Sequence, residues 1–453
     1  MECIISYTSS ICISKKSTVQ NKPHGFFRSL MGLAAVVFVI TLQGCATYSS
    51  QFAKVEQAAA NRDLDGAIKS LDSLKLTGSD EALHFLNKGT LLRLQGKYAE
   101  SNKYLDQAKR LMEALNAISV GEQATSVIVN DGTKAYEGLP NEQLMVYSFA
   151  ALNYLQMGDI DGAAVEARQF DIKHGLIAKK YADAKYLSGA FVRYLNAMVY
   201  EAAGERDSAR IEAQKAVDGY KVQNSGFPVP KALVADLERL TNGEPAANSK
   251  NPGTGEVTFI LHNGLGPSLD ENNIRVPNPQ FGKNSAIMFS LAVPKYVKRS
   301  LPVAKVVLSS GSSSTTSEVV EDINAIGEKS FNDRLPTIIA RGLARMAVKN
   351  IASQAAKKQA GDNPLFNLAA DLGTNLSERA DTRTWSLIPG NILMARLSLA
   401  VSGKPVDVTA TYYDAHGNIL RTQEFKGLEL KPSKKTFISD YYLNPPATAK
   451  AAN

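Results

Sequence analysis

The chain has 453 residues, 44% hydrophobic and 21% charged, with a formal net charge of +7. That is the composition of an ordinary globular protein of two or three domains with ample core material, and a single Trp argues against a lectin-like aromatic platform. The basic excess is too weak to argue for nucleic acid, and only Cys3, Cys12 and Cys45 could supply thiol chemistry.

The N-terminal stretch carries Lys15, Lys16, Lys22 and Arg28 ahead of the apolar run 31–42, which ends in Leu42-Gln43-Gly44-Cys45. Twelve apolar residues span about 18 Å as a helix, short of the ~30 Å hydrocarbon core, so the run reads as a signal peptide rather than a membrane-spanning helix. The last four residues resemble a lipobox, which implies cleavage between Gly44 and Cys45 and acylation of Cys45. The alternative is a plain secretory signal with a chance cysteine. Loss of residues 1–44 leaves 47 basic and 43 acidic side chains, net +4, and the lipid would occupy the last thiol. No disulfide, Cys-ligated zinc or cysteine nucleophile is then expected. By resemblance to Gram-negative lipoproteins, Ala46 after the lipidated cysteine implies export to the outer membrane, with the protein facing the periplasm. Several acyl chains on one cysteine make a lasting anchor.

Residues 45–240 read as helices with Gly-centred turns. Pairs are expected at 82–95 with 99–111, at 143–156 with 161–170, at 187–203 with 207–220 and, more weakly, at 51–60 with 63–74. The second helices carry small residues where helices cross: Ala108, Ala163, Ala167, Ala209, Ala213 and Ala216. With Leu91-Leu92-Arg93-Leu94-Gln95-Gly96-Lys97-Tyr98, this pattern resembles tetratricopeptide repeats. The spacing between turn glycines is irregular, so stretches near 115–140 and 171–186 are expected to be insertions or degenerate repeats. Such a solenoid offers a concave groove for a partner peptide or helix, here lined by Asn87, Arg93, Asn153, Tyr154, Arg193 and Asn196. The competing reading of Asn153 and Tyr154 is that they cap and pack the stack.

The turn-rich segment 241–256 reads as a linker, followed by an α+β domain over 257–445 and a tail over 446–453. Strands are expected at 257–262, 286–293, 303–309, 392–401, 406–413, 419–427 and 436–442, with a hairpin turn at Ala415-His416-Gly417-Asn418. Between them lie a Ser/Thr-rich loop at 309–317 and helices at 319–329 and 335–358. The fold class is therefore multidomain: a tetratricopeptide-like helical solenoid, then a strand-rich domain with a long inserted amphipathic helix. On that helix Leu335, Ile339, Leu343 and Met346 share one face, and Arg334, Arg341, Arg345 and Lys349 form a neighbouring stripe. The stripe could contact an anionic envelope polymer, lipid or acidic partner, or could simply be the solvated side of a helix lying on a sheet.

Glu321-Asp322-Ile323, then Ala340-Arg341-Gly342-Leu343-Ala344-Arg345, then Ala380-Asp381-Thr382-Arg383-Thr384-Trp385-Ser386-Leu387-Ile388-Pro389 resemble a family of bacterial outer-membrane lipoproteins of unknown function. Ala151-Leu152-Asn153-Tyr154-Leu155 with Gly158-Asp159 is similar to that family's repeat region. The resemblance implies architecture and location, and it brings no activity or active-site residues.

No HExxH, GxSxG or P-loop pattern occurs, so zinc hydrolase, serine esterase and NTPase lack their signatures. Asp270-Glu271 and Glu321-Asp322 are adjacent pairs whose side chains diverge, unsuited alone to a two-carboxylate glycosidase. The second pair is better explained as first-turn acids of a helix. His262-Asn263-Gly264-Leu265-Gly266-Pro267 could shape a binding loop but reads better as a turn. Asp381, Arg383 and Trp385 suggest a buried ion pair with aromatic packing, or else a ligand pocket. The expectation is a non-enzymatic scaffold without cofactor, catalytic residue or metal, contacting other envelope proteins through the repeats and the membrane through Cys45. Some activators of peptidoglycan synthases join helical repeats to an α/β domain, which makes such a synthase or its helper a conceivable partner by architecture alone. The alternatives are an enzyme or ligand-binding protein acting on peptidoglycan or lipid through the second domain, and a subunit of a secretion or polysaccharide export machine.

Overall fold

A computed structural model describes residues 48–74, 78–119, 134–223, 228–244, 253–277, 288–360 and 379–443. The signal and lipobox, including Gly44 and Cys45, and the tail 446–453 lie outside them. Among the described residues there are ten α-helices and ten strands in sheets, a mixed α and β architecture.

The helices come as antiparallel pairs: α1 (Tyr48–Ala60) with α2 (Leu64–Asp72), α3 (Glu81–Leu94) with α4 (Tyr98–Ser119), α5 (Pro140–Gln156) with α6 (Ile160–Lys180), and α7 (Ala190–Ala202) with α8 (Arg206–Gln223), closed by α9 (Lys231–Thr241). Tight turns need a left-handed residue, and Gly96, Gly158 and Gly204 adopt φ of 76°, 74° and 83°. One N-cap is used twice: Asp63 accepts from Gly66 N at 2.9 Å and Asp159 from Gly162 N at 2.8 Å. The small crossing residues Ala108, Ala163, Ala167, Ala209, Ala213 and Ala216 are fully buried. Residues 171–180 lie in the stretch expected to be an insertion or degenerate repeat. They continue α6.

The strands form two four-stranded sheets and one ribbon. Sheet order is β10-β1-β7-β6 in the first and β5-β4-β8-β9 in the second. The members are β1 (Thr254–Asn263), β4 (Lys305–Ser310), β5 (Ser313–Thr316), β6 (Glu318–Asp322), β7 (Asn391–Ala400), β8 (Val406–Tyr413), β9 (Ile419–Leu428) and β10 (Lys435–Tyr442). The ribbon pairs β2 (Ser268–Pro277) with β3 (Met288–Val297), and α10 (Ile323–Ala360) packs on it. β1 begins at Thr254, inside the expected linker. The expected helix at 319–329 is instead strand β6 followed by the start of α10, and the expected loop at 309–317 contains β5.

Period-two alternation explains the layering. Val257, Phe259 and Leu261 of β1 and Leu393, Ala395 and Leu397 of β7 meet Val306, Leu308, Val408 and Ala410 of the second sheet. The opposite face of the first sheet, with Ile260, Ile392, Met394, Phe437 and Val320, joins the apolar core built by α3 to α9. The order is helices, sheet, sheet, and the middle layer is covered on both faces. That double cover is why β1 is almost continuously buried. The helical part and the strand-rich part thus share one core.

Candidate functional site

The expected partner groove lies on the inner sides of α3, α5 and α7, and the chain fills it with its own strands. Asn87 is fully buried. Its Oδ1 accepts from Leu387 N at 3.3 Å and its Nδ2 donates to Tyr48 Oη at 3.1 Å. Arg93, 5% exposed, donates to Asn153 Oδ1 at 2.5 Å and to Ser439 Oγ of β10 at 2.9 Å. Asn153, fully buried, donates to Ser101 and Asn102 of α4. Arg193 reaches sideways to Glu212 of α8 at 2.9 Å and Asp171 of α6 at 3.0 Å. Asn196 is 1% exposed, and the half-buried Tyr154 lies over Gly162, where a Cβ would sit 2.4 Å from its ring. The reading of these six as an open groove is therefore corrected: they pack the stack and seat the sheet. A sheet face as apolar as this one must be covered, and the helical layer is what covers it.

The seal is the segment 380–390. Arg383 donates to Asp381 at 2.7 Å, to Asp80 at 3.0 Å and to Lys134 O at 2.8 Å, which ties the segment to the start of α3. Trp385 is fully buried, 4.9 Å from the Phe149 ring, and its Nε1 donates to Thr90 Oγ1 at 3.0 Å. Glu142, in the first turn of α5, accepts from Trp385 N at 2.7 Å, from Leu139 N at 2.9 Å and from the Tyr136 hydroxyl. Burial raises its carboxyl above the usual range despite those donors. The ion pair read from Asp381 and Arg383 is present, with Arg383 buried and Asp381 half-buried; the ring over Arg383 is Tyr136, and Trp385 packs on Phe149 instead.

A second polar cluster lies between layers. Arg396 of β7 pairs with Asp236 of α9 at 2.6 Å and Glu256 of β1 at 2.8 Å, and donates to Tyr194 Oη at 3.0 Å. Arg239 and Lys435 complete it through Glu201, at 2.7 and 2.9 Å. Burial alone would raise the Asp236 and Glu256 carboxyls, but Arg396 and Lys435 outweigh it and hold both below their ordinary values. Beside this cluster is an open cavity of about 390 Å³ lined by Tyr194, Lys231, Thr316, Glu318 and Arg396.

The acidic pair Glu321-Asp322 sits on β6, not in a helical first turn. Asp322 caps α10, accepting from Ala325 N at 2.9 Å. Glu321 is buried, accepts from Gln223 Nε2 at 2.7 Å, and is pushed up to about 7 by burial. His262 ends β1 against Phe149 at 5.1 Å, and burial first, then Arg93, lowers it to about 3. The following loop is structural: Asn263 donates to Val303 O and Asn391 Oδ1, and Gly266 lies where a Cβ would meet Ile388 at 2.3 Å. Among the described residues no group of three His, Cys, Asp or Glu could hold a metal ion, and no helix is long and apolar enough to cross a membrane.

The expected basic stripe on α10 does not stay together. Arg341 is exposed, Arg334 and Lys349 are half-buried, and Arg345 is buried at 4%. The apolar face is also divided. Ile339 and Met346 pack on Leu291 and Val293 of β3, whereas Leu343 is exposed. Gly342 permits this approach, since a Cβ there would sit 2.7 Å from Leu291.

The surface overlooked in the sequence is the outer side of α6. Val165, Ile172 and Leu176 fall on one stripe and are 46, 69 and 58% exposed, flanked by exposed Arg168, Lys179 and Lys180. Their spacing was available as a second apolar periodicity opposite Ala163, Ala167 and Phe170. A scan against protein-family models finds no match to this chain, and a search of curated proteins finds none either.

Proposed function

We propose that this is an outer-membrane lipoprotein, anchored through Cys45 and facing the periplasm, whose helical layer scaffolds another envelope protein through its outer face. The observation that carries the scaffold reading is the exposed stripe Val165, Ile172 and Leu176 on α6. Isolated exposed apolar residues are ordinary, but three aligned on one helix mark an interaction surface. The anchor reading rests on Leu42-Gln43-Gly44-Cys45 after the apolar run, and only Ala46 and Thr47 separate that cysteine from α1. The helix pairs are read as degenerate tetratricopeptide-type repeats, supported by the Gly96, Gly158 and Gly204 turns and the buried alanine crossings. By architectural analogy the partner class includes peptidoglycan synthases and their helpers.

The test is a photo-crosslinking side chain at Ile172 of the lipidated protein in intact cells. A discrete adduct that Leu176→Glu removes, with the variant still folded, supports the scaffold reading. Unchanged adducts, or none, overturn it. Cys45→Ser should abolish lipid labelling of the protein, and label retained by that variant refutes lipidation at Cys45.

The 390 Å³ cavity favours a second reading, a polar-ligand site for peptidoglycan fragments. Soluble muropeptides should raise the melting temperature of the wild-type protein and not of Thr316→Trp, and an equal shift in both removes this reading.

A further inference from the structure

The cavity of about 390 Å³ opens beside β6, the edge strand of the first sheet. One wall is β6 with its neighbour β7, where Glu318 stands opposite Met394 across the ladder and Val320 and Arg396 lie beside them. Val320 and Met394 are 1% and 4% exposed and supply hydrocarbon. The remaining walls supply polar groups: Tyr194 of α7, Lys231 at the start of α9, Thr316 at the end of β5 and Ser317 after it. Tyr194 is 1% exposed, and its hydroxyl accepts from Arg396 at 3.0 Å. A hydroxyl also has a proton of its own to donate. Among the described residues the Tyr194 hydroxyl meets no acceptor, and neither do those of Thr316 and Ser317.

Charge does not select the ligand here. Behind the wall Arg396, Arg239 and Lys435 are matched by Asp236, Glu256 and Glu201. Every nitrogen of the Arg396 guanidinium already donates to the protein. The first turn of α9 is taken as well, because Lys231 N donates to Glu318 at 3.2 Å. The Glu318 carboxylate also offsets the Lys231 ammonium on the cavity wall. An anion would find neither a spare guanidinium nor an open helix end.

We propose that the cavity takes an uncharged N-acetylated sugar, the glycan part of a peptidoglycan fragment rather than its peptide, an assignment that rests on the ligand-site reading given above. A pyranose ring joins an apolar C–H face to a rim of hydroxyls, as the cavity joins Val320 and Met394 to Tyr194, Thr316 and Glu318. The ring face covers the hydrocarbon. A sugar hydroxyl or amide N–H donates to Glu318, a charge-assisted bond, and the acetamido carbonyl accepts from Tyr194. The volume lies in the range of small-molecule sites, about 300–1,000 Å³, and admits a disaccharide. The peptide of such a fragment carries carboxylates, and the cavity has no excess cation to meet them. A purely apolar ligand would bury Glu318 without a partner for its free lone pairs.

The test is calorimetric titration of the full-length, detergent-extracted protein with four probes: N,N′-diacetylchitobiose, cellobiose, a muropeptide, and the peptide freed from its sugars. The expected result is binding of diacetylchitobiose and of the muropeptide, with neither cellobiose nor the free peptide bound. Glu318→Gln keeps an acceptor for Lys231 N and loses the charge, so it should weaken diacetylchitobiose about tenfold with the circular dichroism spectrum unchanged. Thr316→Trp should abolish binding by filling the cavity. Diacetylchitobiose binding that is equal in wild type and Glu318→Gln, or that survives Thr316→Trp, overturns the proposal. So does cellobiose bound as well as diacetylchitobiose, which would remove the acetamido group from recognition. A muropeptide or free peptide that binds where diacetylchitobiose does not overturns the sugar assignment and leaves the ligand-site reading standing. Silence from all four probes removes both.

Discussion

Glu321→Gln should flatten the pH dependence of stability between about pH 5 and 8. Glu321 is sealed between β6 and α8, bonded to Gln223 at 2.7 Å, and burial raises its carboxyl to about 7. An unfolded-chain Glu titrates near 4.3, and each unit of difference is worth 1.36 kcal/mol, so the gap corresponds to about 3 to 4 kcal/mol at most. The sign follows from the raised value. The native state holds the proton more tightly, so this contribution is fully present below about pH 4.3 and is lost as pH rises through 7. Half-buried His174 and buried His262, lowered to about 4 and about 3 with burial as the main cause, act in the opposite sense. Their contribution is present above about pH 6.5 and falls as pH drops toward their folded values. The wild-type curve is therefore a compromise, and the informative quantity is its difference from the variant. Urea midpoints at pH 5, 6, 7, 8 and 9, with m held common, should show wild type losing stability relative to Glu321→Gln by up to about 1.4 kcal/mol per pH unit. Parallel curves would refute the assignment of a protonated carboxyl to this site.

Three further substitutions test the seating of the sheet in the helical layer. Asn153→Ala removes an acceptor from buried Arg93 and donors to α4, and should lower unfolding free energy by about 1–3 kcal/mol; an unaltered urea midpoint would count against the closed groove. Trp385→Ala empties a fully buried site beside Phe149 and Thr90, a loss of about 3–5 kcal/mol by the same assay. Arg396→Met leaves Asp236 and Glu256 short of their shared cation and should cost about 3–5 kcal/mol. Adding Glu256→Gln should recover part of that loss, and strictly additive effects would refute the coupling.

The local parts of the fold were legible and its closure was not. Turn glycines 96, 158 and 204 announced three helix pairs because the left-handed conformation is a local demand. The strands covered on one or both faces, such as β1, β7 and β8, announced themselves by apolar content. β2 was missed because Asp270-Glu271-Asn272-Asn273 belongs to a half-exposed ribbon, and β5 because Ser313–Thr316 has no apolar residue. β6 was read as helix because Val319, Val320, Ile323 and Ile326 also fit a helical period. The candidate groove failed for a different reason. Asn87 and Leu387 are 300 positions apart, as are Trp385 and Thr90 within five, and no local period records a contact of that range.

The closed inner face changes where a partner must be sought. In a helical solenoid with an empty concave side, polar side chains such as Asn87, Arg93 and Asn153 would be specificity determinants. Here the same residues bond to the segment 380–390, to α4 and to β10, so a partner entering the groove would have to displace a sheet that shares the molecule's main core. Releasing that sheet would expose the apolar faces of β1, β7 and β10 together, a far larger cost than one peptide could offset. Contacts with other molecules therefore fall to surfaces that need no opening. The outer side of α6, with Val165, Ile172 and Leu176 exposed beside Arg168, Lys179 and Lys180, is such a surface. With the crosslinker at residue 172, a Leu176→Glu chain should accordingly keep wild-type stability within about 0.5 kcal/mol and lose the protein adduct. An adduct that persists in that folded variant would mean that the outer side of α6 is not the contact surface.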